Sequence, residues 1–552
     1  MMTEAPQRPA LRPTTHRISR RRALVASSVG LAAAGAGPLL PRTDVAMARQ
    51  ATPVPEAATG TVTAARVAQA VERIPTLVAE ILNRTGVPGM AVAVVYDDTI
   101  QYVGGFGVRE LGKDAPIDAE TVFQLASVSK SLSATVVASV VGTGEATWTS
   151  RLSDIDPGFA LFDAWPTHAV SLADLFAHRS GLRDHGGDLL EDLGFDRDTI
   201  LERLRFLEPQ YSFREGYAYT NFGLTAAAVA AAHAAGATWE DLSEERLYRP
   251  LAMTSTSSRF SDYMARENRA IPHVKRDGRW QVTPQQRDPD AQAPAGGASS
   301  NVTDLAAWVR LELGQGTFDG QELIPAAALA PVHTPQSVSR VPPNPATDQA
   351  WFYGLGTDIN YTTFGTPQWG HSGAFNLGAA TSYYLLPAAG FGIVALTNGE
   401  PVGAPEAVAL TVLDIVQGVV TIPDWLAILT PVFTQIDAAS YTLGRDWTTA
   451  PASVTRALAN ETYTGMYQNA FYGDVEIAAS GESLVLRIGP EPREFPLIHF
   501  DRDTFTWQPT GENAYGLSGL TFALGDNGTA SSFFDQYLAS DGPGQLQRKA
   551  PA

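Results

Sequence analysis

The chain has 552 residues, too many for one small core, and its 44% hydrophobic and 18% charged content is that of an ordinary soluble globular protein. A net charge of −19 makes nucleic acid and anionic lipid poor partners. With no cysteine there can be no disulfide, no thiolate zinc site and no cysteine nucleophile.

The first 48 residues carry seven arginines against two acidic side chains, Glu4 and Asp44. Arg20-Arg21-Arg22 leads into the weakly apolar stretch Val25 to Leu40, and Ala46-Met47-Ala48 is a small-residue cleavage pattern. This order is that of an export signal, and the arginine pair resembles a twin-arginine signal. A retained anchor is the competing reading, but the apolar stretch is short, rich in Gly and Ala, and broken by Pro38. Without residues 1–48 the body holds 32 basic and 56 acidic residues, a net charge of −24. An exported periplasmic or extracellular protein with no stable membrane insertion is expected.

Residues 49–63, with Pro53, Pro55 and Gly60, read as a disordered mature N-terminus. Val67, Val71, Ile74, Leu77, Val78 and Ile81 recur at helical spacing from Ala64 to Arg84, and Gly86 to Gly89 ends that helix. Met90 to Tyr96 is a buried strand, turning at Asp97-Asp98 into a second strand, Ile100 to Phe106. A small, apolar helix runs from Ser127 through Val141 and closes at Gly142 to Gly144. The chain is then mainly helical to about residue 255, with segments at Leu172 to Ala177, Arg197 to Arg205 and Asn221 to Ala235. Another helix spans Asn301 to Leu313, with Thr303 as its expected N-cap. Strands return at Phe352 to Asp358, Gln368 to Gly373, Thr381 to Leu386 and Phe391 to Thr397, followed by a helix from Val408 to Val419. Strands at both ends of a helical middle predict an α+β domain over 64–420, its antiparallel sheet completed by both termini. Residues 421–457 read as a connector. From 458 to 552, short alternating runs such as Val475 to Ile477, Leu484 to Ile488 and Thr504 to Trp507 predict a small all-β barrel or sandwich.

Candidate chemistry begins at Ser127-x-x-Lys130. Residues three apart share a helix face, so hydroxyl and amine can meet. The serine needs a base to take its proton, and lysine serves only if burial or cationic neighbours lower its pKa. Alone, the pattern is more often an N-cap serine and a surface lysine. Tyr219-x-Asn221 can add a proton-shuttling phenol and an amide that holds substrate or orients the lysine. His371-Ser372-Gly373 ends a strand where a histidine can present a donor and a glycine admits close backbone approach. His178 and His185 bracket a loop, but their spacing fits no metal-ligand pattern. Gly370-x-Ser372 resembles a nucleophile elbow, yet Ala374 stands where its second glycine belongs and no helix follows.

Taken in order, these motifs resemble the serine β-lactamase and penicillin-binding-protein superfamily, most of all its class C β-lactamase-related branch. Val87-Pro-Gly89, His178 to Leu182, Pro250 to Met253 and Pro294 to Gly297 strengthen that likeness over about residues 64–420. The C-terminal module, with Tyr463 to Tyr467, Tyr472-Gly473 and Asp503 to Phe505, resembles a lipocalin-like domain. The resemblance implies a β-lactamase/transpeptidase-like fold and acyl transfer without cofactor or metal. It makes Ser127, Lys130 and Tyr219 catalytic, and Asn221, His371 and Gly373 substrate-orienting. The backbone N–H groups of Ser127 and Ala374 would form the oxyanion hole. His371 replaces the lysine usual in β-lactamases, removing a cation that would grip a carboxylate. Ester or amide hydrolysis of a small molecule or peptide therefore ranks above β-lactam hydrolysis. A slow-turnover penicillin sensor, a D-alanyl-D-alanine carboxypeptidase and an acyl transfer to an amine remain open, as does the oligomeric state.

Overall fold

The computed structural model describes residues 60–442, 445–449 and 451–550. The export signal expected over 1–48 and most of the segment expected to be disordered over 49–63 lie outside the described residues. Of the last residues of that segment, Val62 packs against the core and the Thr63 hydroxyl caps the first helix by accepting from Arg66 N–H.

An eight-stranded antiparallel sheet organises the first part of the chain. Helix α1 (Ala64–Thr85) precedes strands β1 (Gly89–Tyr96) and β2 (Thr99–Gly107). The chain then leaves for a helical region that includes α2 (Ser129–Thr143), α3 (Asp188–Asp192), α4 (Asn221–Ala234) and α5 (Val302–Leu313). It returns as β3 (Ser337–Arg340), β4 (Trp351–Tyr353), β5 (Asp358–Tyr361), β6 (Pro367–Phe375), β7 (Ala379–Leu386) and β8 (Phe391–Thr397). The strand order β2-β1-β8-β7-β6-β5-β4-β3 puts β1 beside β8, so both ends of the domain share one sheet. Helix α6 (Ala404–Gln417) then packs back on it.

Both faces of the sheet are covered. Met90, Val92 and Val94 of β1 face α1 and α6, whereas Ala91, Ala93 and Val95 face the opposite core with α2 and α5. Double burial explains why β1 reads as an unbroken apolar run rather than an alternating one. Helix α2 is buried from Ser129 to Val140, all round its axis. Its small residues let backbone approach from several sides, and its hydroxyls find carbonyls: Ser131 donates to Gly356 and Ser133 to Pro294.

Some boundaries differ from the sequence reading. The N-cap of α5 is Asn301, whose side chain accepts from Asp304 N–H at 2.7 Å, while Thr303 lies inside the first turn. The run 352–358 is not one strand, because Gly354 to Thr357 turn the chain between β4 and β5. Helix α6 starts at Ala404 because Pro405 fits its first turn. Beyond it, α7 (Trp425–Thr442) supplies the helical part of the connector.

The C-terminal strands form a closed eight-stranded barrel in up-and-down order: β9 (Gly465–Asn469), β10 (Gly473–Ser480), β11 (Ser483–Ile488), β12 (Arg493–Asp501), β13 (Thr504–Trp507), β14 (Ser518–Leu524), β15 (Ala530–Asp535) and β16 (Gln545–Arg548). Pairing of β9 with β16 removes the open edges. Its aromatic interior, including Tyr463, Tyr467, Phe522 and Phe533, belongs to the same buried cluster as α2 and α4. Polar contacts join the two parts as well. Asp541, 1% exposed, accepts from Gly187 N–H at 2.8 Å and Leu189 N–H at 2.9 Å, holding the start of α3.

Asp541→Ala strands both N–H groups in a buried contact. It is expected to cost roughly 2–4 kcal/mol in urea unfolding. Unchanged stability would show that this capping contact does not hold α3 in solution.

Candidate active site

Ser127 sits in the 3-10 turn Ala126–Val128, directly before α2. Ala126 adopts φ +48°, a left-handed conformation rare outside glycine, at the residue directly before the serine. One turn on, Lys130 is fully buried. Its Nζ lies 3.1 Å from Ser127 Oγ, 2.6 Å from Asn221 Oδ1 and 2.9 Å from the Ala295 carbonyl oxygen. The Tyr219 hydroxyl donates to Ser127 Oγ at 2.8 Å. The structure thus brings four of the expected residues, Ser127, Lys130, Tyr219 and Asn221, into one hydrogen-bonded group.

The protonation states follow from burial. Desolvation holds Lys130 well below the ordinary amine range; Asp188 and Glu191 oppose that shift and Arg287 adds to it. Desolvation also pushes the Tyr219 phenol well above its ordinary range, so it stays protonated and acts as a donor. Asn221 Oδ1 and the Ala295 carbonyl can only accept, so they take two amine hydrogens of Lys130. The third contact, Ser127, can donate. In the neutral form of Lys130 that desolvation favours, the lone pair faces the Ser127 hydroxyl, and Tyr219 donates to the same serine oxygen.

Behind this group stands a second layer that the sequence reading missed. Asn221 Nδ2 donates to Asp188 Oδ2 at 2.8 Å, which fixes the amide with its oxygen toward Lys130. The His185 Nδ1 lies 2.9 Å from the same carboxylate oxygen, and its imidazole is raised to about 9 despite burial by Asp184 and Asp188. The short spacing His185-x-x-Asp188 was the available signal, with His185 at φ +59° in the turn that leads into α3. His185 therefore pairs with a carboxylate, and among the described residues no group of three His, Asp or Glu side chains is placed to hold a metal.

Strand β6 brings the third motif to the serine. A Cβ added at Gly373 would lie 2.2 Å from the Leu125 carbonyl oxygen, 2.4 Å from Thr381 Oγ1 and 3.0 Å from Ser127 N. Only glycine permits that approach. Strand β5 pairs with β6 over 367–370 alone, so from His371 to Phe375 the edge away from β7 has no strand partner among the described residues. Ala374, also buried, follows Gly373 on this edge.

His371 is placed differently from a substrate-gripping cation. Its Nδ1 lies 2.7 Å from the Ser372 carbonyl, which can only accept, so Nδ1 carries the proton. Its Nε2 then accepts from the Tyr353 hydroxyl at 2.9 Å. Both ring nitrogens are occupied, and burial lowers the imidazole to about 3, with Lys130 adding to the shift. The ring is neutral across the working range of pH.

This geometry is matched by kinship. A Beta-lactamase family profile covers residues 62–417. The chain belongs to the Beta-lactamase family, whose enzymes are serine hydrolases. A second profile, a domain of unknown function (DUF3471), matches residues 449–545. Penicillin-binding protein 4 of Amycolatopsis lactamdurans is 26% identical over 329 residues, 57% of this chain and 81% of that protein. An unguisins hydrolase of Aspergillus campestris is 24% identical over 340 residues, 58% of this chain and 60% of its own length. A β-lactamase of Escherichia coli is 24% identical over 243 residues, 42% of this chain and 58% of that enzyme. In fold, the chain is similar to an octameric penicillin-binding protein homologue from Pyrococcus abyssi, at a TM-score of 0.54 and 18% identity over 86% of this chain and 99% of that one.

The tight seat of Gly373 predicts that Gly373→Ala moves the β6 edge off Ser127. A displacement of about 1 Å at a reacting centre costs on the order of 100-fold, so kcat/KM on p-nitrophenyl acetate should fall by about that factor. Undiminished activity would show that the edge does not contact the serine turn as described.

Proposed function

We propose that this chain is an exported serine hydrolase that cleaves ester or amide substrates, peptides of D-amino acids among them, through a covalent acyl-enzyme on Ser127. The observation that carries this reading is the Ser127 hydroxyl held between a buried lysine amine and a protonated tyrosine. Neutral Lys130 takes the Ser127 proton as Oγ attacks the carbonyl carbon. The phenol of Tyr219 donates its proton to the departing alcohol or amine and is reprotonated from Lys130, which leaves an ester between Ser127 and the acyl group. Water then attacks that ester with the same groups in reverse roles, releasing the acid and restoring Ser127. The N–H groups of Ser127 and Ala374 would hold the oxyanion, a contribution of about 3–4 kcal/mol per donor in comparable sites.

Asn221 orients Lys130, with Asp188 fixing its amide. Gly373 lets the β6 edge and its substrate lie against the serine, and His371 braces that edge through Tyr353. The neutral state of His371 supports ranking substrates without a carboxylate above β-lactams. Export rests on the twin-arginine-like residues 1–48. Among the described residues no helix is long and apolar enough to cross a membrane.

The test is a screen of p-nitrophenyl acetate, nitrocefin and D-alanine p-nitroanilide, with intact mass followed after each addition. The expected result is turnover of the ester or amide above nitrocefin, a transient adduct that maps to Ser127, and loss of both in Ser127→Ala. Activity retained in Ser127→Ala would overturn the assignment. An adduct that forms and persists would replace hydrolysis with a slow-turnover sensor.

A further inference from the structure

The barrel does more than pack beside the hydrolase domain: one of its loops reaches the substrate edge. Residues 509–516 lie in the connection from β13 to β14, and Glu512, 3% exposed, sits at the end of β6. Its Oε1 accepts from Asn376 N–H at 2.6 Å and its Oε2 from Leu377 N–H at 3.2 Å. Tyr515 of the same loop accepts at 2.6 Å from Asn376 Nδ2. The two N–H groups that directly follow the unpaired edge are therefore taken by a side chain from the other end of the sequence.

The loop is also seated from below. Asp192 at the end of α3 accepts from Glu512 N–H and Asn513 N–H, both at 2.8 Å. Gly511, at φ +124°, would put a Cβ 2.4 Å from the Asp192 carboxylate carbon, so that contact requires glycine. Arg287 lies 2.6 Å from Glu191 and 3.5 Å from Glu512, with its guanidinium 4.3 Å above the Phe375 ring. Burying such a cluster is a poor source of stability, since apolar side chains of similar volume serve as well. Its placement at the end of β6, beside the unpaired edge, is what distinguishes it.

An extended substrate docks along an unpaired strand edge by backbone hydrogen bonds. With the scissile carbonyl at Ala374, Glu512 meets such a substrate two residues further on, about 7 Å away at strand spacing. We infer that Glu512, presented by the 509–516 loop, is a specificity-determining end wall of the cleft that confines the group on that side of the scissile bond to a short one. This rests on the acyl-enzyme reading above and adds to it a substrate class: molecules cleaved next to a short terminal group, rather than within a long chain.

The test uses the full chain and two matched ester series. In one the acyl group grows from acetate to octanoate with p-nitrophenol as the constant leaving group. In the other acetate is constant and the alcohol grows from ethanol to octanol, followed by acid release. The wild-type protein should lose at least about tenfold in kcat/KM from shortest to longest in one series and stay nearly flat in the other. Glu512→Ala should flatten the steep series, and Glu512→Gln, which keeps the volume, should leave it steep. A wild-type protein that is flat in both series overturns the proposal without reference to any variant. So does Glu512→Ala that retains the wild-type slope, or that lowers every substrate equally. Failure of the acyl-enzyme reading is separately visible, as turnover persisting in Ser127→Ala.

Discussion

The proposed chemistry depends on removing one lysine from water. A solvated Lys130 would hold its proton at neutral pH and could not act as a base toward Ser127. The fold excludes water on all sides of it: α2 is buried round its whole circumference, and the Ala295 carbonyl and Asn221 amide close over the amine. The small residues of α2 follow from that demand. A Cβ at Gly356 would come within 2.5 Å of the Lys130 carbonyl oxygen, which measures how closely the strand region is drawn in. Desolvation disfavours the ammonium, while the Asn221–Asp188 relay keeps the amine oriented without leaving it unpaired.

The second constraint is that α3 and the end of β6 are each held by residues from the other part of the chain. Asp541 and the 509–516 loop reach α3 and the end of β6, respectively, and α3 carries Asp188. The barrel is thus mechanically continuous with the residue that fixes Asn221. A buried cluster running from α2 and α4 into the barrel interior makes the same link in apolar side chains.

Much of this was legible in the sequence, for physical reasons. Ser127-x-x-Lys130 is local, so helical spacing alone predicts the contact observed at 3.1 Å. Strands β1, β7 and β8 were visible because long apolar runs are needed where both faces of a sheet are covered. The α+β domain followed from strands at both ends of a helical middle, and the all-β module from the change in periodicity near Tyr463. What stayed hidden was non-local. Nothing near Asp188 announces that Asn221 will meet it, and nothing near Glu512 announces Asn376. The histidine at 371 invited reading as a proton donor, whereas its Nδ1 is satisfied by the Ser372 carbonyl and its Nε2 by Tyr353. Pro75 within α1 shows packing overriding local propensity, whereas the turn between β4 and β5 follows a local signal, Gly354 and Gly356, that the strand reading passed over.

The state of Lys130 can be measured directly, because the chain has four lysines, at positions 113, 130, 275 and 549. In protein labelled with 13Cε-lysine, the four signals can be followed through a pH titration and Lys130 assigned by its absence in Lys130→Met. The account predicts that this one signal titrates well below the free-amine value of about 10.4. A Lys130 signal titrating near the free-amine value would contradict it: the lysine would then be a fixed cation, and the base for Ser127 would have to be sought elsewhere.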